Sequence, residues 1–313
     1  MADTHPPICD YEGSDYDSSF WTVNRAYEDQ VEAIALQRLL PKTGNLILEL
    51  GAGAGRNTLR YSGFKQVVLL DYSLTQLQQA IERLGRNQRF IYVAADIYRL
   101  PFVEGLFDAA TMIRALHHMA EPLKALRQIR NSLQPGAIFI LEYANKHNLK
   151  AISRYLLKRQ SWSPFSPDSV EFEKLNYDFH PRMVKTWLRE AGFALQRQLA
   201  VSYFRLDVFK RKLPLEMLTK LDRWLQPTGN WFQLSPSMFT RSVAMGSTAN
   251  AHAGTFFKCP ACGSSDLKPH GPRIFCMACS RQWPIVDGIF DFRLKKQEVN
   301  SSRSPKNATG QIS

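Results

Sequence analysis

The sequence of 313 residues lacks any apolar run long enough to cross a membrane, and it lacks an apolar segment near its start. A membrane-spanning helix needs about 20 consecutive apolar residues. The first twenty residues are instead polar and acidic, without the apolar core of a secretory signal. These absences predict a cytoplasmic protein with no transmembrane segment.

Acidic residues are in the minority, because 28 Asp and Glu stand against 40 Lys and Arg, which gives a net charge of +12. This excess permits a polyanionic partner such as nucleic acid or an anionic membrane surface, but it serves solubility equally well. The residues are 44% hydrophobic and 12% aromatic, a composition that favours a folded chain. The length allows one large domain and a small one.

A glycine turn follows the apolar run Leu46–Leu48 and leads into residues that can start a helix. Gly51 and Gly53 lack a Cβ, so they accept a positive φ and let a ligand approach the bare backbone. Asp71 ends a second apolar run twenty positions after Gly51, where an acidic side chain suits the hydroxyls of a ribose. The sequence therefore predicts a site for a nucleoside-bearing cofactor.

The third glycine of the dinucleotide fingerprint is missing. The pattern G-x-G-x-x-G would place it at position 56, where this chain has Arg56. The chain reads G-x-G-x-G instead, with Glu49 just before the turn. This departure argues against a nicotinamide-dependent oxidoreductase. A binding test with the dinucleotide would decide whether the protein belongs to that class.

These motifs resemble those of the class I S-adenosylmethionine-dependent methyltransferases of the type 11 kind, in the same order from near Asn45 to near Met245. In that family the glycine turn wraps the aminoacyl part of the cofactor, and an acidic residue in the position of Asp71 binds the ribose. An aspartate and the apolar residue after it, here Asp96 and Ile97, contact the adenine. The resemblance implies S-adenosylmethionine as cofactor, bound by Glu49, Gly51, Ala52, Gly53, Gly55, Asp71, Tyr72, Asp96, Ile97 and Arg114.

The same resemblance implies an α/β Rossmann-like fold with a seven-stranded, mostly parallel sheet, helices on both faces and the cofactor at the carboxyl ends of the strands. Ser237–Ala244 would be the last strand, antiparallel and at the edge of the sheet. The loop that begins at Arg114 would lie near the transferred methyl group. His117 and His118 in that loop are the nearest candidates for a general base, which is needed only if the acceptor must lose a proton. The sequence assigns no catalytic residue.

Cysteine is scarce, and four of the five cysteines lie within twenty-one residues, as two C-x-x-C pairs that thirteen residues separate. Two such pairs predict a closed, structural four-cysteine site for Zn²⁺. Disulfides are the alternative, which the absence of a secretory context disfavours. The predicted ligands are Cys259, Cys262, Cys276 and Cys279.

The residues 283–293 after the second pair are similar to the ending of a zinc-ribbon family, although Phe290 stands where proline is usual. That family includes a small activator protein of methyltransferases that act on RNA and on a translation factor. The match covers residues 256–294. A fused ribbon of this kind either contacts the substrate or serves only stability and docking.

The domain prediction is a methyltransferase domain over residues 1–246, a linker over 247–254, a zinc ribbon over 255–294 and a disordered tail over 295–313. Two basic insertions, one from Lys146 to Trp162 and one from Asp207 to Gln226, interrupt the first domain. They are interpreted as a lid over the substrate pocket, a contact with RNA or an anionic surface, or a solvated helix face.

The methyl acceptor is left open among RNA, a translation-related protein, and a lipid, quinone or other small molecule. A second hypothesis is a non-catalytic module that binds S-adenosylmethionine or docks partners through the ribbon. The sequence predicts no oligomeric state.

Overall fold

Short apolar strands alternate with helices along most of the chain and assemble into one large sheet. The computed structural model describes residues 6–9, 12–13, 25–247 and 249–294. The helices of this part are α1 (Ala26–Leu39), α2 (Leu74–Leu84), α3 (Pro122–Ser132), α4 (Leu149–Leu156), α5 (Pro181–Glu190), α6 (Asp207–Lys212) and α7 (Leu215–Leu225). Single 3₁₀ turns lie at Thr58–Arg60, Ile97–Arg99, Leu116–His118 and Gln226–Asn230.

Thirteen strands were found in the described residues, and eleven of them belong to the large sheet. The remaining two, β6 and β7, pair with each other as a hairpin. The strands are β1 (Gly44–Leu50), β2 (Phe64–Asp71), β3 (Phe90–Ala94), β4 (Phe107–Met112), β5 (Leu133–Ala144), β6 (Val170–Glu173), β7 (Asn176–Asp178), β8 (Phe193–Val201), β9 (Ser237–Ala244), β10 (Leu267–His270), β11 (Arg273–Cys276), β12 (Gln282–Val286) and β13 (Ile289–Asp291).

The order β3-β2-β1-β4-β5-β9-β8 forms the centre of the sheet, and its strands are parallel except for β9. The prediction of a mostly parallel α/β fold is confirmed. The prediction that Ser237–Ala244 forms the edge is wrong, because β9 lies between β5 and β8 and pairs antiparallel with both. The edge strand is β8.

The predicted count of seven strands is also wrong, because β10–β13 continue the sheet to eleven strands. The strand β13 pairs in parallel with β3, with Ile289 opposite Tyr92 and Asp291 opposite Ala94. An edge strand such as β3 presents unpaired backbone N–H and C=O groups. The C-terminal region supplies partners for those groups and so becomes part of the same sheet.

Aromatic side chains pack across the junction between the C-terminal strands and the rest of the sheet. Phe257 stacks on Phe102 with ring centres 5.9 Å apart and also contacts Phe290 and Phe292 at 5.0 and 4.9 Å. The backbone continues the contact, since the Lys258 N–H donates to a carbonyl of the first domain over 2.9 Å. The buried cluster on this side of the sheet includes residues of both parts. The two predicted domains therefore share a core, although the boundaries at 246, 254 and 294 stay a prediction, and the predicted tail 295–313 lies outside the described residues.

Helices cover both faces of the sheet. Successive side chains of β1 point to opposite faces of the sheet. Ile47 packs in a cluster with α2, whereas Leu48 and Leu50 pack with α3 and α5. The helix α1 lies on the same face as α2, where its Val31 and Leu36 share a buried cluster with Leu218 of α7. In the described part of the chain no helix is long and apolar enough to cross a membrane.

The expected helix after the glycine turn is reduced to the single 3₁₀ turn Thr58–Arg60. Only eight residues, 56–63, separate Gly55 from the start of β2. A crossover between parallel strands takes a dozen or more residues when it contains a helix. The short connection keeps the chain close to the sheet and leaves room for α1 beside it.

Candidate active site

A cavity of about 120 Å³ lies at the carboxyl ends of the central strands β1 to β4. Ile8 and Cys9 cover one side of it. Pockets for drug-sized ligands and cofactors usually measure about 300–1,000 Å³, so this cavity is smaller than a typical cofactor site. Seven of the ten residues predicted to bind cofactor line the cavity: Gly51, Gly53, Asp71, Tyr72, Asp96, Ile97 and Arg114.

The glycine turn forms the floor of this cavity. Gly51 has a φ of +66°, and a Cβ at this position would lie 2.6 Å from the Cβ of Ala115. Gly53 has a φ of +52°, and its missing side chain would project toward Gln76 in the cavity. The turn therefore requires glycine for its conformation at both positions and for close packing at Gly51.

Asp71 ties the turn to the end of β2. Its Oδ2 accepts from the Gly53 N–H over 2.8 Å, and its Oδ1 accepts from the Ser73 N–H over 3.0 Å. The carboxylate therefore holds the turn while it lines the cavity.

Asp96 and Ile97 form the opposite wall. Asp96 caps the 3₁₀ turn Ile97–Arg99, because its Oδ1 accepts from the Tyr98 N–H over 2.9 Å. This cap fixes the carboxylate beside an apolar side chain at the end of β3. Such a pair matches a planar base that carries an exocyclic amine.

Three of the residues predicted to bind cofactor do not line the cavity but support the glycine turn from its buried side: Glu49, Ala52 and Gly55. Glu49 is buried and accepts from Thr58 Oγ1 over 2.6 Å and from the Tyr61 hydroxyl over 3.2 Å. Burial raises the pKa of Glu49 to about 7, against the opposing effect of these hydrogen bonds. The Ala52 N–H donates to the β2 backbone over 3.0 Å. Gly55 packs against α2, and a Cβ there would lie 2.8 Å from a methyl group of that helix.

Arg114 is held by a network of buried acids that sequence reasoning missed. It has a φ of +55°, and its N–H donates to Oε2 of Glu142 over 2.9 Å. Its guanidinium pairs with Glu32 of α1, which also accepts from Arg56 over 2.8 Å. Burial alone would raise the pKa of Glu32, but the two guanidiniums outweigh it and lower the pKa to about 2. In the sequence, Glu32 is recognisable only as an acid four residues after Glu28, on the face of α1 that carries Val31.

A second and larger cavity, of about 970 Å³, lies beyond the carboxyl end of β5. The insertions form most of its wall, with α4 and the hairpin β6–β7 on one side and residues 203–209 on the other. Its lining is mainly apolar and aromatic, and it includes Leu149, Trp162, Phe172, Phe204 and Phe209. Basic side chains of α4 stand among them. The first insertion is thus a wall of this cavity, and its interpretation as a lid over the substrate pocket stays a prediction.

Asp178 is an acidic residue in this mainly apolar lining. Burial raises its pKa to about 6, with Glu142 acting in the same direction and Arg205 and Lys146 in the opposite one. The hairpin that carries it is anchored to the end of β5, because the Phe179 N–H donates to the last carbonyl of that strand over 2.9 Å. No motif marks Asp178 in the sequence, because the pairing of the hairpin with β5 is what brings it here.

The two histidines lie between the cavities. Their rings are 3.9 Å apart, and Nδ1 of His118 lies 3.0 Å from the Leu175 carbonyl in the β6–β7 hairpin. A carbonyl only accepts, so Nδ1 of His118 carries the proton. Burial lowers the pKa of both rings, and the neighbouring Arg114 and Arg205 lower that of His117 further. Both rings are therefore neutral at pH 7, with His118 on the wall of the smaller cavity.

The four clustered cysteines bring their Sγ atoms within 4.8 Å of one another. Cys259 and Cys279 lie 3.7 Å apart, and Cys262 and Cys276 lie 3.5 Å apart. A tetrahedral site with Zn–S bonds of about 2.3 Å places its sulfurs about 3.8 Å apart. The cluster has the spacing of such a site, and none of its cysteines forms a disulfide.

Arg293, which follows β13, connects this C-terminal region to the smaller cavity. Its guanidinium forms two hydrogen bonds with Asp291, each of 2.9 Å. Its Nη1 donates to the Tyr72 carbonyl over 3.1 Å, and its guanidinium carbon lies 5.6 Å from the centre of the Tyr72 ring. The same Nη1 donates over 3.1 Å to Glu12, which accepts from the first N–H groups of α2.

Comparison with known proteins agrees with this geometry. A family model described as a methyltransferase domain matches residues 48–141. A demethylmenaquinone methyltransferase of Clavibacter sepedonicus is 32% identical over 179 residues, which cover 53% of this chain and 73% of that protein. A ubiquinone/menaquinone biosynthesis C-methyltransferase of Pseudomonas savastanoi is 28% identical over 169 residues, which cover 49% of this chain and 66% of that protein.

A solved structure shows the same fold. It is a chain of the complex between a methyltransferase activator and a putative methyltransferase of Haloferax volcanii, which superposes with a TM-score of 0.51 at 18% identity. The superposition covers 74% of this chain and 92% of that chain. Taken together with the demethylmenaquinone relative and the family match, the comparisons show that this chain is an enzyme and belongs to the class I S-adenosylmethionine-dependent methyltransferases.

Proposed function

We propose that this enzyme transfers the methyl group of S-adenosylmethionine to a small acceptor with an apolar body, of the quinol or phenol class. The observation that carries the proposal is the cavity of about 970 Å³ whose mainly apolar walls come from the two insertions. Two relatives are named for quinone methylation. Basic side chains also line this cavity, but its surface is mainly aromatic and aliphatic, which favours an apolar acceptor over RNA.

The smaller cavity is the proposed cofactor site. Asp71 would accept from the ribose hydroxyls, Asp96 from the adenine amine, and the backbone of Gly51 and Gly53 would pass beside the aminoacyl part. S-adenosylmethionine supplies a sulfonium methyl group that a nucleophile attacks in line. Arg114, which lines this cavity and is fixed by buried acids, borders the space toward the acceptor.

The residues of the chain then contribute proximity, exclusion of water and a proton acceptor. The β6–β7 hairpin carries Asp178 in the wall of the larger cavity, and its Leu175 carbonyl accepts from His118, which lines the smaller one. Asp178 is ionised at pH 7, because its raised pKa of about 6 still lies below that pH. It is the proposed base for an acceptor hydroxyl, because it lines the cavity that the proposal assigns to the acceptor.

Transfer of labelled methyl groups from S-adenosylmethionine into fractionated cell extract tests the acceptor class. Label in the lipid-extractable fraction, and then in a demethylated naphthoquinol offered as a single substrate, is the expected result. Label confined to RNA or protein would contradict the proposal. Binding of cofactor without turnover on any fraction would favour the hypothesis of a non-catalytic module.

For the C-terminal region we propose a zinc ribbon over residues 255–294 that Cys259, Cys262, Cys276 and Cys279 close around Zn²⁺. The spacing of the sulfurs supports it. The metal would serve stability, because a four-cysteine site has no open position for substrate. Domain boundaries at 246 and 254, and a cytoplasmic location, stay predictions from the sequence.

A further inference from the structure

Exposed apolar side chains are concentrated in one region of the molecule. In the described part of the chain seventeen large hydrophobic residues are exposed, and fourteen of them lie between residues 149 and 232. Trp224 and Trp231 are 77% and 70% exposed, and Leu156 is 69% exposed. Single exposed apolar residues are ordinary on a protein surface, whereas a concentration of this kind marks an interaction site.

The helix α7 shows that this exposure is organised. Its inner face carries Leu218 and Asp222, both buried against the rest of the domain. Its outer face carries Met217, Leu221 and Trp224, which are spaced i, i+4 and i+7 and are all exposed. A surface helix normally presents polar residues to solvent. This helix presents an apolar stripe as well, beside the exposed Glu216, Lys220 and Arg223.

The exposed residues continue into the proposed acceptor cavity. Five of them also line that cavity and come from three separate segments, namely Leu149 and Leu157, Phe172, and Leu206 with Phe209. The mouth of the cavity is therefore surrounded by exposed apolar side chains. We use the name docking surface for the exposed side chains of α4, α6 and α7 together with the five exposed residues at the mouth of the cavity.

Positive charge accompanies the apolar residues. The segments 149–160 and 206–226 contain nine basic and three acidic residues, so they carry half of the net charge of +12. One of the acids, Asp222, is buried and accepts from the Tyr27 hydroxyl over 2.7 Å. Basic residues beside exposed aromatic and aliphatic ones are typical of a protein that lies in the interface of an anionic membrane.

We propose that the docking surface binds an anionic lipid bilayer, so that the acceptor cavity opens onto the leaflet. A second copy of the chain fits this surface less well, because it would oppose two positively charged faces. RNA would be attracted by the charge and could stack on Trp224 and Trp231, but it would leave the aliphatic Leu156, Met217 and Leu221 in water, because these offer its bases no stacking partner. Burial of these three side chains in the hydrocarbon of a bilayer is favourable.

Flotation of the full-length protein with vesicles tests the proposal without cofactor or acceptor, so its outcome is independent of the proposed reaction. Vesicles of phosphatidylcholine are compared with vesicles that contain phosphatidylglycerol in addition. We expect binding to the second kind only. The pair Leu156→Ser with Trp224→Ser, and the pair Lys212→Glu with Lys220→Glu, should each lower the bound fraction at least tenfold.

The matched control is Leu59→Ser with Met277→Ser, since these side chains are 61% and 55% exposed but lie outside the docking surface. The control pair should bind as the wild type does. The proposal fails if the wild type does not float with anionic vesicles, or if the control pair binds as poorly as the other two. It also fails if the docking-surface pairs abolish RNA binding or dimerisation while vesicle binding is unchanged.

Discussion

Asp71 is predicted to affect cofactor affinity far more than it affects the fold, and the structure offers a matched control for that distinction. Its carboxylate accepts from two backbone N–H groups, at 2.8 and 3.0 Å, at the carboxyl edge of the sheet. Asp108 makes the same kind of contact at the opposite edge, where it accepts from the N–H groups of Asn45 and Leu46 at 2.6 and 2.9 Å.

Replacement of either aspartate by alanine removes the acceptor of two backbone N–H groups, of which only that of Asn45 is exposed. A hydrogen bond to a charged group contributes about 1.5 kcal/mol, so each variant should lose about 3 kcal/mol of unfolding free energy. Only Asp71→Ala also removes an acceptor for the ribose. Two hydrogen bonds to a carboxylate, at about 1.5 kcal/mol each, correspond to roughly 100-fold in the dissociation constant.

The assay is urea unfolding for stability, with titration calorimetry of S-adenosylmethionine for affinity. Asp71→Ala should show both losses, whereas Asp108→Ala should show the loss of stability with unchanged affinity. Equal affinity in wild type and Asp71→Ala would refute the assignment of the ribose. An equal loss of affinity in both variants would show that the effect passes through the fold.

Three further predictions concern other parts of the molecule. Cys276→Ser should remove zinc, measured by elemental analysis, and lower the melting temperature, while Cys9→Ser keeps its zinc; a stable variant without zinc would contradict the structural metal. Glu32→Gln should cost about 3 kcal/mol of unfolding free energy at pH 7, because it removes the carboxylate that the guanidiniums of Arg114 and Arg56 share, although Arg56 keeps its ion pair with Asp29, and the exposed Glu82→Gln should cost almost nothing. The pKa of Glu32 is lowered to about 2 in the fold, so the stabilisation that it provides is complete above the unfolded pKa near 4.5 and is lost as the pH falls toward 2. The cost of the substitution should therefore shrink over that range, and a constant cost would argue against the ion pairs. Asp178→Asn should lower turnover about 100-fold with unchanged cofactor affinity, and the wild-type rate should fall as the pH drops below about 6, where this carboxylate protonates; an unaltered pH profile in the variant would exclude it as the base.

The sequence was most informative where the function depends on local backbone. Gly51 and Gly53 require positive φ, and Asp71 lies at the end of the next strand, so spacing alone brings them to one edge of a parallel sheet. The cysteine pairs are local in the same sense. The assignment of these residues to particular ligands stays a prediction, but their meeting in space did not depend on distant parts of the chain.

Contacts between distant segments could not be predicted in this way. Asp178 reaches its cavity because a hairpin within an insertion pairs with the end of β5. Glu32 meets Arg114 across 82 residues of sequence. The edge of the sheet was assigned incorrectly because the order of β8 and β9 is set by their pairing and not by their position in the chain. Each of these depends on tertiary packing, which a pattern of residue types does not encode.

The parallel pairing of β13 with β3 changes how the C-terminal region should be understood. Both strands run toward the same edge, so β3 leads into Asp96 at the cofactor cavity while β13 leads into Arg293 beside Tyr72. The proposed metal site would order β10–β13 and thereby also one wall of that cavity and, through Glu12, the start of α2. Through Arg293 the proposed ribbon would support the residues proposed to hold the cofactor, in addition to the stability that the metal would give its own strands.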